Sequence, residues 1–167
     1  MSHDSCAAVV VSRHPADKGD SAIRGCRIWT PPRGEKIDLT ETMEKWIMEE
    51  STNWNVVEYA YDEYQLHELC ADLRKRLGRR FRPFSQAQER AVSDKQLYEM
   101  ILQKQLAHTG HAGLRSHVDN AAIKKDGKSL RFIKQDQSKV SGISAKPIDA
   151  LVAASMSNAE CQRLNLG

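Results

Sequence analysis

The alternation of apolar and polar positions divides the chain into distinct pieces. Residues 6–12, "CAAVVVS", are a continuous apolar run of strand length. In "IRGCRIWT", residues 23–30, Ile23, Gly25, Arg27 and Trp29 alternate with Arg24, Cys26, Ile28 and Thr30, which is the period of a strand. The intervening "RHPADKGDSA" has loop composition, so the two runs are expected to form an antiparallel hairpin. After a second loop, "TPPRGEK", the spacing of Leu39, Met43, Trp46 and Ile47 predicts a helix capped by Asp38 or Thr40. "VVEYAY", Val56 to Tyr61, reads as a short strand ending in Asp62. Leu66, Leu69, Cys70, Leu73 and Leu77 then predict a helix stopped by Gly78.

Further on, "RRFRPFS" is a short basic strand candidate, and residues 93–106 predict a helix with Ser93 as N-cap and Leu97, Met100 and Ile101 inward. Residues 107–125 read as part loop, part helix. "KSLRFIK" predicts a last strand, "QDQSKVSGISAKP" a polar basic loop, and Ile148 to Leu164 a closing helix. There Ile148, Leu151, Val152, Ser155, Met156 and Ala159 form an apolar or small stripe, with Asp149 beside it in the first turn after Pro147. The sum is an α/β chain with a mixed sheet, antiparallel early and parallel later. No repeat or linker divides it, so residues 1–167 are read as one domain.

Composition sharpens this picture only a little. Hydrophobic residues make up 40% and charged residues 28%, the balance of a globular protein. No apolar run approaches the roughly 20 residues of a membrane helix, and no secretory signal is visible, so a cytosolic setting is expected. The four cysteines form no CxxC pair and sit among apolar neighbours, which favours buried thiols over disulfides. The net charge is +3, with basic residues gathered at 74–82 and from Lys124 to Lys146, and acids at 35–63. Such a surface permits nucleic-acid binding without requiring it.

Two carboxylates stand out chemically. Asp62 follows a strand immediately, and Asp149 opens a helix able to pack on the same sheet. In α/β folds the carboxyl ends of strands are where sites assemble, and paired acids there bind Mg²⁺ or Mn²⁺ through oxygen. The plain alternative is a turn or cap role for each, with a first-turn acid contributing about 0.3–1 kcal/mol through the helix dipole. Arg131, Lys134, Lys139 and Lys146 lead up to Asp149 and are either a solvated basic stretch or phosphate contacts. His108, His111 and His117 lack a cysteine or acid at zinc spacing. Neither Ser5 nor Ser12 has a His–Asp partnership in the sequence.

The segments "YAYDEYQLHELCADLRKRLG", "SDKQLYEMILQKQLAHTGHAGLRSHVDNAAIKKDG" and "KPIDALVAASM", in that order, resemble the C-terminal nuclease domain of the large terminase subunit of tailed bacteriophages. The shared features are Tyr61-Asp62 at a strand end, the turn from Leu106 to Gly110, Asn120-Ala121 before a charged strand, and Lys146 to Ala153 opening the last helix. "HDSCAAVVV" resembles the family's first hairpin, so the likeness spans nearly the whole chain. It implies an RNase H-like mixed sheet flanked by helices, and Mg²⁺- or Mn²⁺-dependent endonucleolytic cutting of concatemeric double-stranded DNA during viral packaging in the bacterial host cytoplasm. The implied partners are the terminase small subunit, the portal and an ATPase domain. The family's second and third acidic metal ligands fall on Asp62 and Asp149.

One departure matters. The family's first acidic ligand lies on an opening strand just before the segment matched by His3-Asp4-Ser5, and this chain begins at Met1 without it. Asp4, a neighbouring acid, joins Asp62 and Asp149 as a catalytic candidate. Without that strand the sheet is expected to expose an unpaired edge. The Gly-rich phosphate loop of the ATPase motor is missing from the sequence too. The chain therefore reads as an N-terminally truncated terminase nuclease domain. The alternatives are a non-catalytic DNA-binding or assembly remnant of that domain, or another RNase H-like nuclease such as a resolvase or transposase.

Overall fold

The computed structural model describes residues 5–17, 19–32, 35–135 and 146–164. The expected first hairpin is present: β1 (Cys6–Arg13) pairs antiparallel with β2 (Ser21–Trp29), Cys6 opposite Trp29 and Arg13 opposite Ser21. A short β5 (Leu106–Ala107) joins β2 in parallel. Asp38 is the cap anticipated before the first helix, its Oδ1 accepting from the Thr40 and Glu41 amides at 2.9 and 3.2 Å. A π-helical turn, Thr40–Glu44, runs from there into α1 (Lys45–Asn53).

The next unit is β3 (Glu58–Asp62), α2 (Glu63–Leu77) and β4 (Arg80–Phe84), with β3 and β4 parallel and Glu58 opposite Arg80. Gly78 ends α2 at φ 59°, a left-handed conformation that a Cβ disfavours. α3 spans Glu89–Leu102 and α4 Ala112–Asp119. α3 starts earlier than the Ser93 cap predicted. The Ser85 amide donates to the Glu89 carboxylate at 2.8 Å, while Ser93 lies buried inside the helix with its hydroxyl on the Arg90 carbonyl. Ile101, expected inward, is 41% exposed. Leu97 and Met100 are buried as expected, and the same buried side of α3 also carries Arg90 and Asp94, paired at 2.9 Å, with Asp94 also accepting from the Phe132 amide. That polar face is what the apolar pattern concealed.

A second correction concerns the later strands. β6 (Ala121–Asp126) and β7 (Ser129–Lys134) form an antiparallel hairpin, with Ala121 opposite Lys134; the residue pattern predicts only the second of these strands, and the charged strand after Asn120-Ala121 is implied by the resemblance alone. "AAIKKD" is exposed over most of its length, so it carries little of the alternation that burial imposes.

α5 (Asp149–Leu164) is the spine of the molecule. Ser5 Oγ donates to Asp149 at 2.5 Å, Ser157 Oγ to the Val9 carbonyl at 2.9 Å, and Arg13 to the Gln162 carbonyl at 3.2 Å. β1 and α5 therefore run in the same direction. Arg163, near the far end of α5, meets Glu58, the first residue of β3, at 2.5 Å, so β3 runs the opposite way and ends at Asp62. Burial on α5 extends beyond the predicted stripe to Ala150, Ala154, Asn158, Glu160 and Cys161, because strands pack on one side and α3 and α4 on another.

One core gathers Leu97, Leu114, Leu130, Phe132, Ile148 and Leu151, and a second gathers Ile37, Met43, Ile47, Tyr61, Leu73 and Phe81. The thiols Cys6, Cys70 and Cys161 are buried and Cys26 half-buried, and none is joined in a disulfide. Burial pushes Cys26 up to about 11 and Cys70 up to about 12, far from reactive values.

Among the described residues, β1 pairs only with β2 and β3 only with β4. Between β1 and β3 lies a cleft of about 530 Å³, with Ser5 to Arg13 along one wall and Val56 to Asp62 along the other. Its floor is the face of α5 that carries Asp149, Val152, Ala153, Met156, Ser157 and Glu160.

Candidate metal centre

The directions of β3 and α5 decide where the two candidate acids lie. β3 ends at Asp62 and α5 begins at Asp149, and because these elements run antiparallel the acids share one end of the cleft they both line. The cap role foreseen for Asp62 is real: its Oδ1 accepts from the Tyr64 amide at 3.1 Å as N-cap of α2. One helix-cap bond still leaves most of a carboxylate's acceptor sites for other donors or a cation.

Asp149 is held from several sides. Ser5, just before β1, donates its hydroxyl to Oδ2. The Ala150 amide donates to Nδ1 of His117 at 2.9 Å, and Asn120 Nδ2 donates to the Pro147 carbonyl at 3.0 Å. The end of α4 thereby clamps the start of α5 on both flanks of Asp149. Nδ1 can accept only while it carries no proton. Burial pushes the His117 pKa down, against the opposing pull of the Asp149 charge, which suits an acceptor.

No lysine or arginine forms an ion pair with Asp62 or Asp149 among the described residues. The same residues hold no group of three His, Cys, Asp or Glu side chains placed to bind a metal. Two carboxylates from rigid elements are nonetheless a donor set that suits Mg²⁺, which binds through one or two carboxylates and keeps several waters. The donor chemistry fits a single hard cation and falls short of a complete two-metal cage.

The other predicted residues are placed as follows. Asp4 and Lys139 lie outside the described residues. Arg131, half-buried on β7, donates to the Gln86 carbonyl at 2.9 Å. Lys134 stands opposite Ala121 at the base of the hairpin, beside Asn120, and exposed Lys146 lies three residues before Asp149. These two lysines therefore flank the Asp149 end of α5, while Arg131 is tied to the segment before α3. His108 and His111 accept from the Gly110 and Leu114 amides at 3.0 and 3.2 Å, the latter capping α4. Trp29 and Trp46 meet edge to face at 5.9 Å.

Sequence reasoning missed the roles of Ser5, His117 and Asn120. Only Asn120 carried a signal, as half of the Asn-Ala pair. Tyr64, 93% exposed two residues after Asp62, was not singled out either.

No family model matches the sequence, and no curated protein matches it. Solved structures do share the fold. The HK97 bacteriophage large terminase matches with TM-score 0.68 and 18% identity, over 94% of this chain and 39% of that one. The large terminase nuclease from thermophilic phage G20c, whose crystal structure has bound magnesium, matches with TM-score 0.57 and 10% identity, over 96% of this chain and 84% of that one. The chain thus has the RNase H-like fold of phage terminase nuclease domains and spans about two fifths of the HK97 protein.

Proposed function

We propose that the chain is a metal-dependent DNA endonuclease domain of a viral packaging terminase, acting on concatemeric double-stranded DNA. The observation that supports this reading is that Asp62 and Asp149, neither paired with a cation among the described residues, both line one cleft in a fold shared with terminase nucleases. Asp62 and Asp149 would hold Mg²⁺ or Mn²⁺. A divalent ion bound there would supply an activated water and neutralise the charge that develops on a phosphodiester. Ser5 orients the Asp149 carboxylate, and His117 and Asn120 fix the turn that presents it. Lys134 and Lys146, with Lys139 and Arg131, would contact phosphates beside the site. Double-stranded DNA would be the substrate, and the small subunit, portal and ATPase domain the partners, in the bacterial host cytoplasm.

A specific observation favours a second reading, a non-catalytic DNA-binding or assembly remnant. It is that the described residues gather no three metal-binding side chains. Plasmid cleavage with Mn²⁺, Mg²⁺ or EDTA, run beside Asp62→Ala, separates the two. Metal-dependent nicking lost in the variant supports the nuclease. A folded protein that binds DNA and never cuts it supports the remnant.

A further inference from the structure

A smaller cavity, of about 210 Å³, lies on the other side of α5 from the cleft. Leu151 and Ala154 line it, whereas Val152 and Ala153 line the cleft, and the two cavities share no lining residue. Its base is apolar, with Ile23 of β2, Leu97 of α3 and Leu114 of α4 joining the two α5 residues. Its polar lining is of one kind. His108, His111 and Arg115 line it, and no aspartate or glutamate does. Nδ1 of His108 accepts from the Gly110 amide and Nδ1 of His111 from the Leu114 amide, at 3.0 and 3.2 Å. An imidazole that accepts at Nδ1 carries its hydrogen on Nε2, so each ring keeps one donor to give. Gly110 is left-handed at φ 79°, and a Cβ there would lie 3.7 Å from Nη2 of Arg115. Arg115 therefore reaches over the same turn that carries both histidines. No carboxylate among the described residues pairs with it.

We propose that this pocket binds the C-terminal residue of a partner polypeptide, its apolar side chain among Ile23, Leu97 and Leu151 and its carboxylate held by Arg115, His108 and His111. Charge gives the first half of the argument. Three donors gathered around one turn, with no acid among them, complement an anion, and a guanidinium takes a carboxylate through two parallel bonds. The apolar base gives the second half. A bare phosphate or a nucleic-acid backbone would set charge against Ile23, Leu97 and Leu151 and bury nothing apolar in return. The occupant must therefore join an anion to an apolar group over a short distance, as a terminal leucine, isoleucine or phenylalanine does. Size and exposure then favour a chain over a small molecule. At about 210 Å³ the pocket falls below the ~300 Å³ at which small-molecule sites begin, and holds one large side chain. Ile101 and Val118 both line it and are 41% and 42% exposed. A free acid that filled the pocket would leave both in water, whereas a chain running out across them covers both. The pocket shares no residue with the metal centre, so this reading stands whether or not the chain cuts DNA.

The probe is a four-residue peptide, acetylated and ending in leucine with a free carboxylate, added to the full chain. Binding is followed by NMR through the Gly110 and Leu114 amides and the ring signals of His108 and His111. These signals should shift and saturate at millimolar peptide, while the Tyr64 amide beside Asp62 stays where it is. The same peptide amidated at its C-terminus should bind at least about tenfold more weakly, as should the free-acid peptide to Arg115→Gln, since each loses a charged hydrogen bond. Arg115 is exposed, and an unchanged spectrum outside the pocket checks that the variant is folded. Isocaproate, which is leucine without its amino group, should also bind more weakly than the peptide. Three results would overturn the proposal: no shifts at millimolar peptide, affinity indifferent to amidation or to Arg115→Gln, or isocaproate binding as tightly as the peptide. The last would assign the pocket to a small free acid. Metal-dependent plasmid cleavage, measured separately, reports on the nuclease reading, so either can fail without the other.

Discussion

The two ends of the cleft each hold a pair of carboxylates, and the pairs are treated in opposite ways. At the far end Glu58 and Glu160 share a hydrogen bond and are surrounded by arginines. Arg163 bonds to both, Arg82 to Glu160 at 2.6 Å, and Arg80 Nε lies 2.9 Å from Glu58. At the near end Asp62 and Asp149 have a backbone amide and a serine hydroxyl as partners, and no guanidinium or ammonium pairs with either among the described residues. The buried acids at the far end are neutralised by the protein itself, which fastens β3, β4 and α5 together. The acids at the near end are presented on rigid elements with no cationic partner among the described residues, the condition in which a divalent cation is the natural counterion. Paired carboxylates alone therefore say little, and the surrounding cations separate a lock from a site.

The most severe way to break the comparison is to remove a near-end acid. Asp62→Ala or Asp149→Ala should reduce metal-stimulated plasmid nicking at least ~100-fold, beyond the ~10–100-fold typical of losing a supporting partner, while stability falls by no more than the about 0.5–2 kcal/mol of a lost helix cap at Asp62. Normal cutting in either variant would exclude it from the site. The far end should respond the other way. Glu58→Gln at neutral pH should lower stability by about 1–3 kcal/mol, since Arg80 and Arg163 lose a charged acceptor. Thermal unfolding should then shift down by several degrees, and cutting at a temperature well below unfolding should stay near the original rate. Ser5→Ala is the subtler test of the near end. It leaves Asp149 in place but frees its orientation, so cutting should fall about tenfold, with the loss concentrated at low metal concentration.

How much of this was legible beforehand depends on what each residue faces. The first hairpin, β3 with α2, and the closing helix follow from apolar periodicity, because those elements bury one face against the core. α3 was misplaced at its start because its buried face carries the Arg90–Asp94 pair, which the pattern counts as solvent-facing. β6 has no periodic signature of its own, because most of its side chains meet water and little constrains their type; only the resemblance marks a charged strand after Asn120-Ala121. Of the site, Asp62 and Asp149 could be named, since a strand end and a helix start each mark a position without tertiary information. That they could converge was also readable, as a helix start packed over a strand end, but their common end of the cleft depends on the opposite directions of β3 and α5. The clamp of His117 and Asn120 on the start of α5 was equally hidden, being a contact between segments far apart in the chain.

The smallest predicted effect concerns pH and bears directly on the far-end lock. Burial alone would raise Glu58, but the Glu160 carboxyl, Arg163 and Arg80 outweigh it and hold Glu58 below its ordinary 4.5. Burial and the Glu58 hydrogen bond push Glu160 above the same value. A depressed acid contributes stability above its unfolded pKa and loses it as pH falls through the folded one. A raised acid contributes below its unfolded pKa and loses that contribution as pH climbs through its folded value. Glu58 therefore supports the fold at neutral pH, and its contribution fades below about 4.5, where protonation weakens its hold on Arg163. In Glu58→Gln that contribution is absent at every pH, and Glu160 loses the neighbour that helped raise it. The gap in thermal midpoint between the original chain and the variant should consequently be widest at pH 6–7 and narrow steadily toward pH 3. Midpoints taken at unit steps of pH would show it. A gap that stays constant across that range would mean Glu58 acts through packing alone, and the far-end pair would no longer serve as the charge-compensated counterpart of Asp62 and Asp149.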